Sequence, residues 1–413
     1  MLFFYNLSLR LYVLLLRIAA LFHPKAKSFI IGREKWRYRL KKALSGEQRP
    51  IIWMHCASLG EFEQGRPVLE AIREQYPGYA LLLTFFSPSG YELRKKYPGV
   101  DFVFYLPVDS PYSAKSFLDI VQPELALFVK YEFWYYYLSA LKKRHIPAVL
   151  FSAYFQADQP FFKFYGGLYR KMLGCYQQIF VQDKSSRELL AQIGVRQVQI
   201  AGDTRFDRAS KVRGTLKPFP GVVTFKQKYR LLVAGSTWPE DEALLKDALA
   251  ELWAQKFKVL LVPHEVDDAN IRRILDLFGH EACLWNEQDA VLIQKQVAVV
   301  NTVGQLSHLY QYADVAWIGG GFGKGIHNIL EPAVFGIPVF FGPKFRRFRE
   351  AVDMLALHAV GHVPGSKEMV RILKDEAALK KMGMNAQSYV HTQLGATRKI
   401  MDYLSLKCLR STS

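Results

Sequence analysis

The sequence predicts an α/β protein built from two doubly wound parallel sheets. Apolar segments of strand length alternate with segments long enough for helices, which is typical of a parallel sheet with helices on both faces. The pattern runs twice, and a basic stretch with Pro and Gly at 208–228 interrupts it. The predicted strands are 51–56, 79–85, 101–106, 124–129, 147–151 and 178–181 in the first series, and 230–235, 257–262, 291–294, 313–318 and 337–341 in the second.

The two series predict two domains of similar size in a chain of 413 residues, each large enough to bury its own core. Crossover helices are expected in the first domain, and the last helical stretch, 385–408, is expected to pack back across the junction. The predicted crossover helices include 110–120, 132–144 and 183–193. The predicted divisions are a membrane-associating helix at 1–24, a Rossmann-like domain at 25–207, a linker at 208–228, a second Rossmann-like domain at 229–390 and a C-terminal helix at 391–413.

The chain is strongly basic, with a formal net charge of +18. This charge suits an anionic partner, which can be nucleic acid, an acidic membrane surface or a phosphorylated substrate. Between Lys25 and Lys42 there are eight Lys or Arg residues and one acid, Glu34, directly after a mostly apolar segment. A basic cluster beside an apolar helix favours anionic lipid head groups over nucleic acid, and a solvated charged face is the alternative.

The first 22 residues are about long enough to span a bilayer, but two arginines interrupt them. Asn6, Arg10 and Arg17 fall within about 40° of one another on a helical wheel. They therefore form one narrow polar stripe, which favours a helix lying in the membrane interface over a clean span. Four widely separated cysteines, with no C-x-x-C pair, fit a reducing cytoplasm and favour neither disulfides nor a zinc site.

The segment 51–61, with the sequence IIWMHCASLGE, ends an apolar strand at Ser58, Gly60 and Glu61. A buried parallel strand delivers such residues to the edge of the sheet at which α/β proteins bind ligands. Glu61 is therefore either a catalytic base or a helix cap. Two other predicted strand exits place a small polar residue three positions before a glutamate, which is the spacing of a capping box: Thr237 to Glu240 and Asn328 to Glu331.

A glycine-rich element at 319–328 follows a predicted strand. Its spacing is not that of a Walker A loop, because Lys324 is followed by Gly325. A late glycine loop that leads into H-N-x-x-E-P favours a nucleotide-sugar site, and a tight turn is the alternative. His264 at another strand exit is a phosphate or sugar ligand or a structural histidine, and Glu132 is a site residue or a first-turn helix charge. No D-x-D pair is present, so a metal is not expected.

Taken together, these elements resemble the Kdo (3-deoxy-D-manno-octulosonic acid) transferase family of lipopolysaccharide and lipid A biosynthesis. The matching motifs occur in one order through nearly the whole chain. Lys130 departs from the family pattern, since many members have a glutamate there. The matching elements are the N-terminal helix with its basic flank, His55 with Ser58–Glu61, Glu132–Trp134, Gly202–Asp207, Ser236–Thr237, Pro263–His264 and Gly325–Pro332.

The resemblance implies a GT-B glycosyltransferase fold, with two Rossmann-like domains facing a cleft and no required metal or other cofactor. It implies CMP-Kdo as the donor and a tetra-acylated, bis-phosphorylated lipid A precursor (lipid IVA) as the acceptor. We therefore expect a protein at the cytoplasmic face of the bacterial inner membrane, anchored by its N-terminal helix on an anionic surface, with no nucleic acid partner.

The resemblance and the strand exits together predict the roles of the site residues. Glu61 is the expected catalytic base, which removes the proton from the primary hydroxyl of the acceptor. The acceptor or secondary site is expected to contain Ser58, Gly60 and Glu132. Donor binding is assigned to Ser236, Thr237, His264, Gly325, Asn328 and Glu331.

Two other classes of function stay open at the level of sequence. One is a different GT-B enzyme, such as a lipid A disaccharide synthase or a UDP-sugar epimerase. The other is a non-enzymatic basic adaptor that binds the membrane. The carboxylates at the strand exits argue against an adaptor, because a scaffold has no need of them.

Overall fold

The computed structural model describes residues 1–285 and 293–409. These residues form two compact units. Unit 1 is Met1–Asp207 together with the chain from Gly395 onwards, and unit 2 is Arg208–Leu394. Each unit contains one parallel sheet, which in the described residues has seven strands, and the two units are described separately.

Unit 1 is a doubly wound domain with the strand order β3-β2-β1-β4-β5-β6-β7. Its strands are β1 (Ile51–Cys56), β2 (Ala80–Phe85), β3 (Phe102–Tyr105), β4 (Leu125–Val129), β5 (Ala148–Ala153), β6 (Gln178–Val181) and β7 (Val198–Ile200). The helices up to the end of this part of the chain are α1 (Leu2–Ala19), α2 (Pro24–Gly32), α3 (Trp36–Leu44), α4 (Leu59–Gln75), α5 (Pro88–Arg94), α6 (Pro111–Val121), α7 (Tyr135–Lys143), α8 (Gly167–Leu173), α9 (Lys184–Gln192) and α10 (Thr204–Gly214).

Unit 2 repeats this architecture with the strand order β10-β11-β9-β8-β12-β13-β14. Its strands are β8 (Arg230–Thr237), β9 (Phe257–Pro263), β10 (Ala282–Leu284), β11 (Val297–Val299), β12 (Val315–Ile318), β13 (Val339–Phe341) and β14 (Gly361–His362). Its further helices are α11 (Pro220–Lys226), α12 (Pro239–Asp247), α13 (Leu249–Ala254), α14 (Asp268–Phe278), α15 (Leu306–Leu309), α16 (Leu330–Ala333), α17 (Arg349–Ala356), α18 (Ser366–Ile372) and α19 (Glu376–Thr392).

The central strands are buried on both faces, which is why they appear in the sequence as continuous apolar runs. Trp53 of β1 belongs to one core cluster, whereas Met54, which points to the opposite face, belongs to another. Both side chains are fully buried. The helices on each side of the sheet thus cover a core of their own, and the strand ends are left to carry polar groups.

The end of the chain returns to unit 1 as helix α20 (Ala396–Lys407). Ile400 and Leu404 of this helix are buried in the cluster that contains Phe62 of α4. The stretch predicted as one helix at 385–408 is two helices, because Gly395 adopts a φ of +101° and separates α19 from α20. That conformation is left-handed, is easily adopted by glycine and breaks the helical ladder.

The family-like motif at 202–207 holds unit 1 together. The carboxylate of Asp203 accepts hydrogen bonds from the side chains of Gln64 and Arg205. The carboxylate of Asp207 accepts hydrogen bonds of 2.6 Å from the backbone N–H groups of Gly395 and Thr397 at the start of α20. These N–H groups have no partner within the helix, so Asp207 supplies the cap that its first turn needs.

Two parts of the sequence interpretation differ from the structure. The segment 208–228 contains most of α10 and all of α11, and Val222 and Phe225 are buried there, so its apolar residues pack against unit 2 despite the Pro and Gly around them. The predicted strand at 291–294 lies partly outside the described residues, and strands β10 and β11 stand on either side of it.

Helix α1 has no fully buried residue, and several of its large apolar side chains are exposed. By length and composition it could cross a membrane, and it is the one such helix in residues 1–285 and 293–409. Phe3 and Phe4 are each 71% exposed. An apolar surface of this kind on a helix at the end of a chain is typical of a membrane contact.

Candidate active site

The strand order of unit 1 reverses between β1 and β4, which are hydrogen-bonded neighbours. After β1 the chain enters α4 and continues to β2, whereas after β4 it enters α7 and continues to β5, on the other side of the sheet's centre. In open α/β sheets, ligands bind in the crevice at this switch point, outside the carboxyl ends of the strands. Glu61 follows β1 and Glu132 follows β4, so the topology brings the two predicted carboxylates to the same place.

Glu61 caps helix α4 with one oxygen only. Its Oε2 accepts a hydrogen bond of 2.9 Å from the backbone N–H of Ser58, and the Ser58 hydroxyl lies 3.3 Å from the same oxygen. Its Oε1 makes no hydrogen bond with the residues that the structure describes. The capping role and a role as a base are therefore compatible, because each uses a different oxygen.

The surroundings of Glu61 raise its pKa from 4.5 to about 7. Burial is the largest cause, and repulsion from the carboxylate of Glu132 adds to it, while the hydrogen bonds from Ser58 and the charge of Lys130 oppose the shift. A carboxylate with a pKa near neutrality takes up a proton far more readily than an ordinary one. This is the tuning that general bases in enzymes show.

Glu132 is buried and held in position by side chains of unit 1. Its Oε2 accepts a hydrogen bond of 2.5 Å from the indole N–H of Trp134, and the Nε2 of His55 lies 2.8 Å from the same oxygen without hydrogen-bond geometry. The Nδ1 of His55 lies 2.8 Å from the hydroxyl oxygen of Thr84. Helix α7 begins only at Tyr135, so the interpretation of Glu132 as a first-turn helix charge was wrong.

Gly60 directly precedes Glu61 in the chain, and Lys130 lies two residues before Glu132. Lys130 has a φ of +67°, a left-handed conformation that is uncommon for a lysine, and its charge lowers the pKa of Glu61. Gly60 is exposed, and a Cβ added there would meet nothing closer than the Ser58 hydroxyl at 4.0 Å. The start of α4 therefore leaves open space on the side of Gly60.

Unit 2 has its own reversal of strand order between β8 and β12. Ser236, near the end of β8, has a φ of +54°, and its hydroxyl makes no hydrogen bond with a described residue. A Cβ on Gly319, after β12, would lie 2.2 Å from the carbonyl oxygen of Ser236, so only glycine allows this approach. A strained serine with an available hydroxyl at a switch point is typical of a ligand site.

The cap of helix α12 differs from the predicted one by one residue. Asp241, and not Glu240, accepts the hydrogen bond from the backbone N–H of the capping residue, which is Trp238 and not Thr237. Asp241 also accepts the N–H of Gly320, which ties the glycine loop to the first turn of α12. The Thr237 hydroxyl donates instead to Glu242, at 3.0 Å, and Glu240 is exposed. The acidic first turn of α12 makes it a poor anion site in itself.

His264 is not a lone histidine, because its ring packs against two others. Its centroid lies 4.7 Å from that of Trp238 and 4.5 Å from that of His327. The indole N–H of Trp238 donates to the Nε2 of His327, at 2.9 Å. Partial burial and the neighbouring His264 lower the pKa of His327 to about 4, so this ring is neutral at physiological pH. The Trp238 and His327 rings are nearly parallel, with an interplanar angle of 11°, and the cluster joins the exits of β8 and β9 to the glycine loop.

The loop from Gly325 to Glu331 is fixed by its backbone and by a polar pair. Gly325 has a φ of +125°, and a Cβ there would lie 2.7 Å from the ring of Phe348. The Nδ2 of Asn328 donates to Glu331, at 3.1 Å. Because α16 begins only at Leu330, Asn328 and Glu331 are not a capping box. Burial raises the pKa of Glu331, and the charge of Arg208 opposes the shift.

Comparisons with known proteins agree on one family. Residues 34–208 match the family model described as 3-deoxy-D-manno-octulosonic-acid transferase (kdotransferase). A protein of that name from Chlamydia muridarum is 28% identical over 82% of this chain and 80% of its own length. Those from Aquifex aeolicus and Haemophilus influenzae are also 28% identical, over 80% and 86% of this chain and 87% and 86% of their own lengths.

Residues 34–208 thus match the Kdo transferase domain, and the chain is similar to proteins named Kdo transferase over most of its length. These relatives are glycosyltransferases, which confirms the predicted enzyme class.

Solved structures show the fold. A UDP-GlcNAc 2-epimerase from Neisseria meningitidis, bound to UDP-GlcNAc, superposes with a TM-score of 0.60 at 15% identity over 86% of this chain and 99% of that chain. MurG from Acinetobacter baumannii superposes with a TM-score of 0.52 at 11% identity over 86% and 98%. At these identities the likeness concerns the fold alone, and it confirms the predicted GT-B class.

The structure thus groups the predicted site residues into two sets. Glu132 and Ser58–Glu61 lie at the switch point of unit 1, and the predicted donor residues lie around the glycine loop and the neighbouring strand exits of unit 2. Sequence reasoning missed Trp238 and His327, although the pattern H-N-x-x-E-P contained the second of them. In the described residues, no group of three or more His, Cys, Asp or Glu is arranged to hold a metal ion.

The raised pKa of Glu61 predicts a stability cost above neutral pH. Since the folded protein binds this proton more tightly than the unfolded chain, the wild type loses stability as pH rises from 4.5 through about 7. Glu61→Gln removes the charge and can still accept the N–H of Ser58. We expect this variant to be more stable than the wild type at about pH 8, with an advantage that disappears below about pH 4.5. Denaturant unfolding across this range measures the difference.

Glu74→Gln is the matched control, because Glu74 is exposed near the other end of α4. Its stability relative to the wild type should not change over the same pH range. A Glu61→Gln variant whose relative stability is equally independent of pH would contradict the assigned pKa.

Proposed function

We propose that this enzyme transfers Kdo from CMP-Kdo to the primary hydroxyl of a lipid A precursor (lipid IVA), with inversion at the anomeric carbon. The match of residues 34–208 to the Kdo transferase model and the similarity to proteins of that name support the sugar that is transferred. The observation that carries the mechanism is Glu61: a carboxylate with one uncommitted oxygen and a pKa of about 7, at a topological switch point.

In the proposed reaction, the Oε1 of Glu61 takes the proton from the acceptor hydroxyl. The hydroxyl oxygen forms a bond to the anomeric carbon of Kdo, and the bond from that carbon to the phosphate oxygen of CMP breaks. CMP leaves with the electron pair. A general base in this position contributes roughly 10²–10⁴-fold to the rate. Glu132 keeps the pKa of Glu61 high, while Ser58 and Gly60 border the space that an acceptor sugar would enter.

On the donor side, we assign recognition of CMP-Kdo to the glycine loop of unit 2 and its surroundings. The Ser236 hydroxyl is free to donate to the phosphate, where negative charge grows as CMP leaves. The backbone can approach the donor closely at Gly325, and Asn328 and Glu331 supply polar groups beside it. His264 stacks on His327 of the same loop. We propose that Thr237 acts by fixing the end of β8, because its hydroxyl is already bonded to Glu242.

No metal or other cofactor enters this proposal. The chemistry requires one base and groups that stabilise a leaving phosphate, and the residues named above supply both. The sequence has no D-x-D pair, which many metal-dependent sugar transfers would need to hold a divalent cation.

We further propose that the enzyme works at the cytoplasmic face of the bacterial inner membrane. The exposed apolar residues of α1 would enter the bilayer, and the basic segment 25–42 would contact anionic head groups, with about 1 kcal/mol per Lys or Arg at the surface. This places the enzyme where a lipid acceptor is concentrated. It also accounts for the net charge of +18 without a nucleic acid partner.

The direct test incubates the purified enzyme with CMP-Kdo and the lipid A precursor and weighs the lipid product by mass spectrometry. We expect added Kdo with the wild type, and a loss of roughly 10²–10⁴-fold in rate with Glu61→Gln, because glutamine can cap a helix but cannot remove a proton. Glu74→Gln controls for loss of charge on α4. A fully active Glu61→Gln enzyme would falsify the proposed base, and turnover of a UDP-sugar with none of CMP-Kdo would point to another GT-B activity.

The role proposed for the glycine loop can be tested by substituting two of its glycines. Gly325→Ala places a Cβ against Phe348 in a backbone conformation that costs about 1–3 kcal/mol for other residues, so we expect kcat/KM for CMP-Kdo to fall roughly tenfold or more. At Gly323, in the same loop, a Cβ would meet nothing closer than 3.9 Å, and Gly323→Ala should be close to wild type. Initial rates at varied CMP-Kdo measure both. Equal effects of the two substitutions would contradict the role given to Gly325.

A further inference from the structure

A cavity of about 550 Å³ lies between the N-terminal helix α1 and the start of α6. Its wall on the α1 side includes Asn6, Arg10 and Arg17, and its other wall is formed by residues in the range 108–113. The three α1 residues are the polar stripe that the sequence predicts for this helix. The structure places the stripe along the side of α1 that borders this cavity, which is half open to solvent.

Specific hydrogen bonds hold α1 against this wall. The hydroxyl of Tyr5 donates to the Oδ2 of Asp109, at 2.5 Å, and accepts the backbone N–H of Tyr135, at 3.2 Å. The hydroxyl of Tyr136 donates to the side-chain oxygen of Asn6, at 2.8 Å. The first turns of α1 are therefore hydrogen-bonded to the rest of unit 1, and these bonds fix the position of the helix beside the cavity.

The cavity has an excess of positive charge. Arg10 and Arg17 make no hydrogen bond or ion pair with any residue in the described part of the chain, and they lie two turns apart, about 10 Å along the helix axis. Asp109 is the one acid among the lining residues, and its oxygens already accept the Tyr5 hydroxyl and the backbone N–H groups of Tyr136 and Tyr137. Two uncommitted guanidinium groups thus face a space whose one carboxylate is occupied.

Apart from Ser110 and Ser113, the other lining residues are apolar, and the cavity adjoins a surface suited to lipid. Leu9, Val13 and Leu14 line it from α1. On the outer side of the helix, Leu7, Leu11 and Leu15 are each at least half exposed. A basic pocket with apolar walls beside a helix in the membrane interface has the chemistry of a phospholipid head-group site. A small inorganic anion would leave the apolar walls without a partner.

We propose that this cavity binds an anionic glycerophospholipid of the bilayer, with its phosphodiester between Arg10 and Arg17 and its acyl chains along the apolar side of α1. The bound lipid would fix the depth and orientation of the enzyme at the membrane, beyond the general attraction of the basic segment 25–42. The site shares no residue with the Glu61–Glu132 pair, and the proposal does not depend on which sugar is transferred.

The test uses the full-length protein and dihexanoyl phosphatidylglycerol below its micelle concentration, so that no membrane surface is present. Calorimetric titration should show binding by the wild type. We expect Arg10→Gln/Arg17→Gln to weaken it roughly tenfold or more, since each arginine contributes a charge-assisted hydrogen bond. Val13→Trp, which fills the cavity without a change of charge, should weaken it as well. The circular dichroism spectrum and melting temperature of each variant show that it is folded.

Lys380→Gln/Lys381→Gln is the matched control, because it removes the same charge from exposed positions of α19, outside both the cavity and the basic segment 25–42, and should bind like the wild type. Glycerol phosphate and dihexanoyl phosphatidylcholine should both bind more weakly than the phosphatidylglycerol. The proposal is overturned if the arginine variant binds like the wild type, if the lysine variant weakens equally, or if glycerol phosphate binds as tightly as the lipid. Competitive displacement by the lipid A precursor would overturn it too, because the cavity would then be part of the acceptor site.

Discussion

All the strands of a parallel sheet end at one edge, and the chain leaves that edge in opposite directions where the strand order reverses. In unit 1 this constraint places Glu61, after β1, near Glu132, after β4, although 71 positions separate them in the sequence. Burial then keeps both carboxylates from full solvation, and their repulsion raises the pKa of Glu61. The reactivity assigned to Glu61 therefore follows from the topology of the sheet as much as from the residue itself.

The carboxylate of Glu61 caps a helix and is proposed to act as a base, and the two roles use different oxygens. One oxygen caps α4 through Ser58, while the other is uncommitted. Lys130 moderates the pKa that burial and Glu132 raise, so the chain balances two opposing influences on one group. Functional sites commonly carry such local costs, which the rest of the fold must offset. Unit 2 shows a parallel case in Ser236, where a strained backbone holds an uncommitted hydroxyl beside the glycine loop.

Much of the fold could be predicted because buried parallel strands are continuous apolar runs, and the six predicted strands of unit 1 match β1–β6 closely. The caps of helices were less predictable. Whether Glu240 or Asp241 caps α12 depends on which residue is the N-cap, and in the structure this residue is Trp238. Val222 and Phe225 lie in a basic, Pro-containing stretch, and only the core of unit 2 shows that they belong to a helix. The stack of His264 with Trp238 and His327 joins three separate segments, which no local pattern can reveal.

The central claim is that Glu61 acts as a base with a pKa near neutrality, set by burial and by Glu132. The most direct measurement is the pH dependence of kcat/KM for Kdo transfer by the wild type and by Glu132→Gln. We predict that the wild-type rate falls as pH decreases through about 7, where Glu61 becomes protonated, and that the Glu132→Gln profile falls at a lower pH because the repulsion is removed. A wild-type rate that stays constant down to about pH 5, or a limb that Glu132→Gln does not move, would contradict the account.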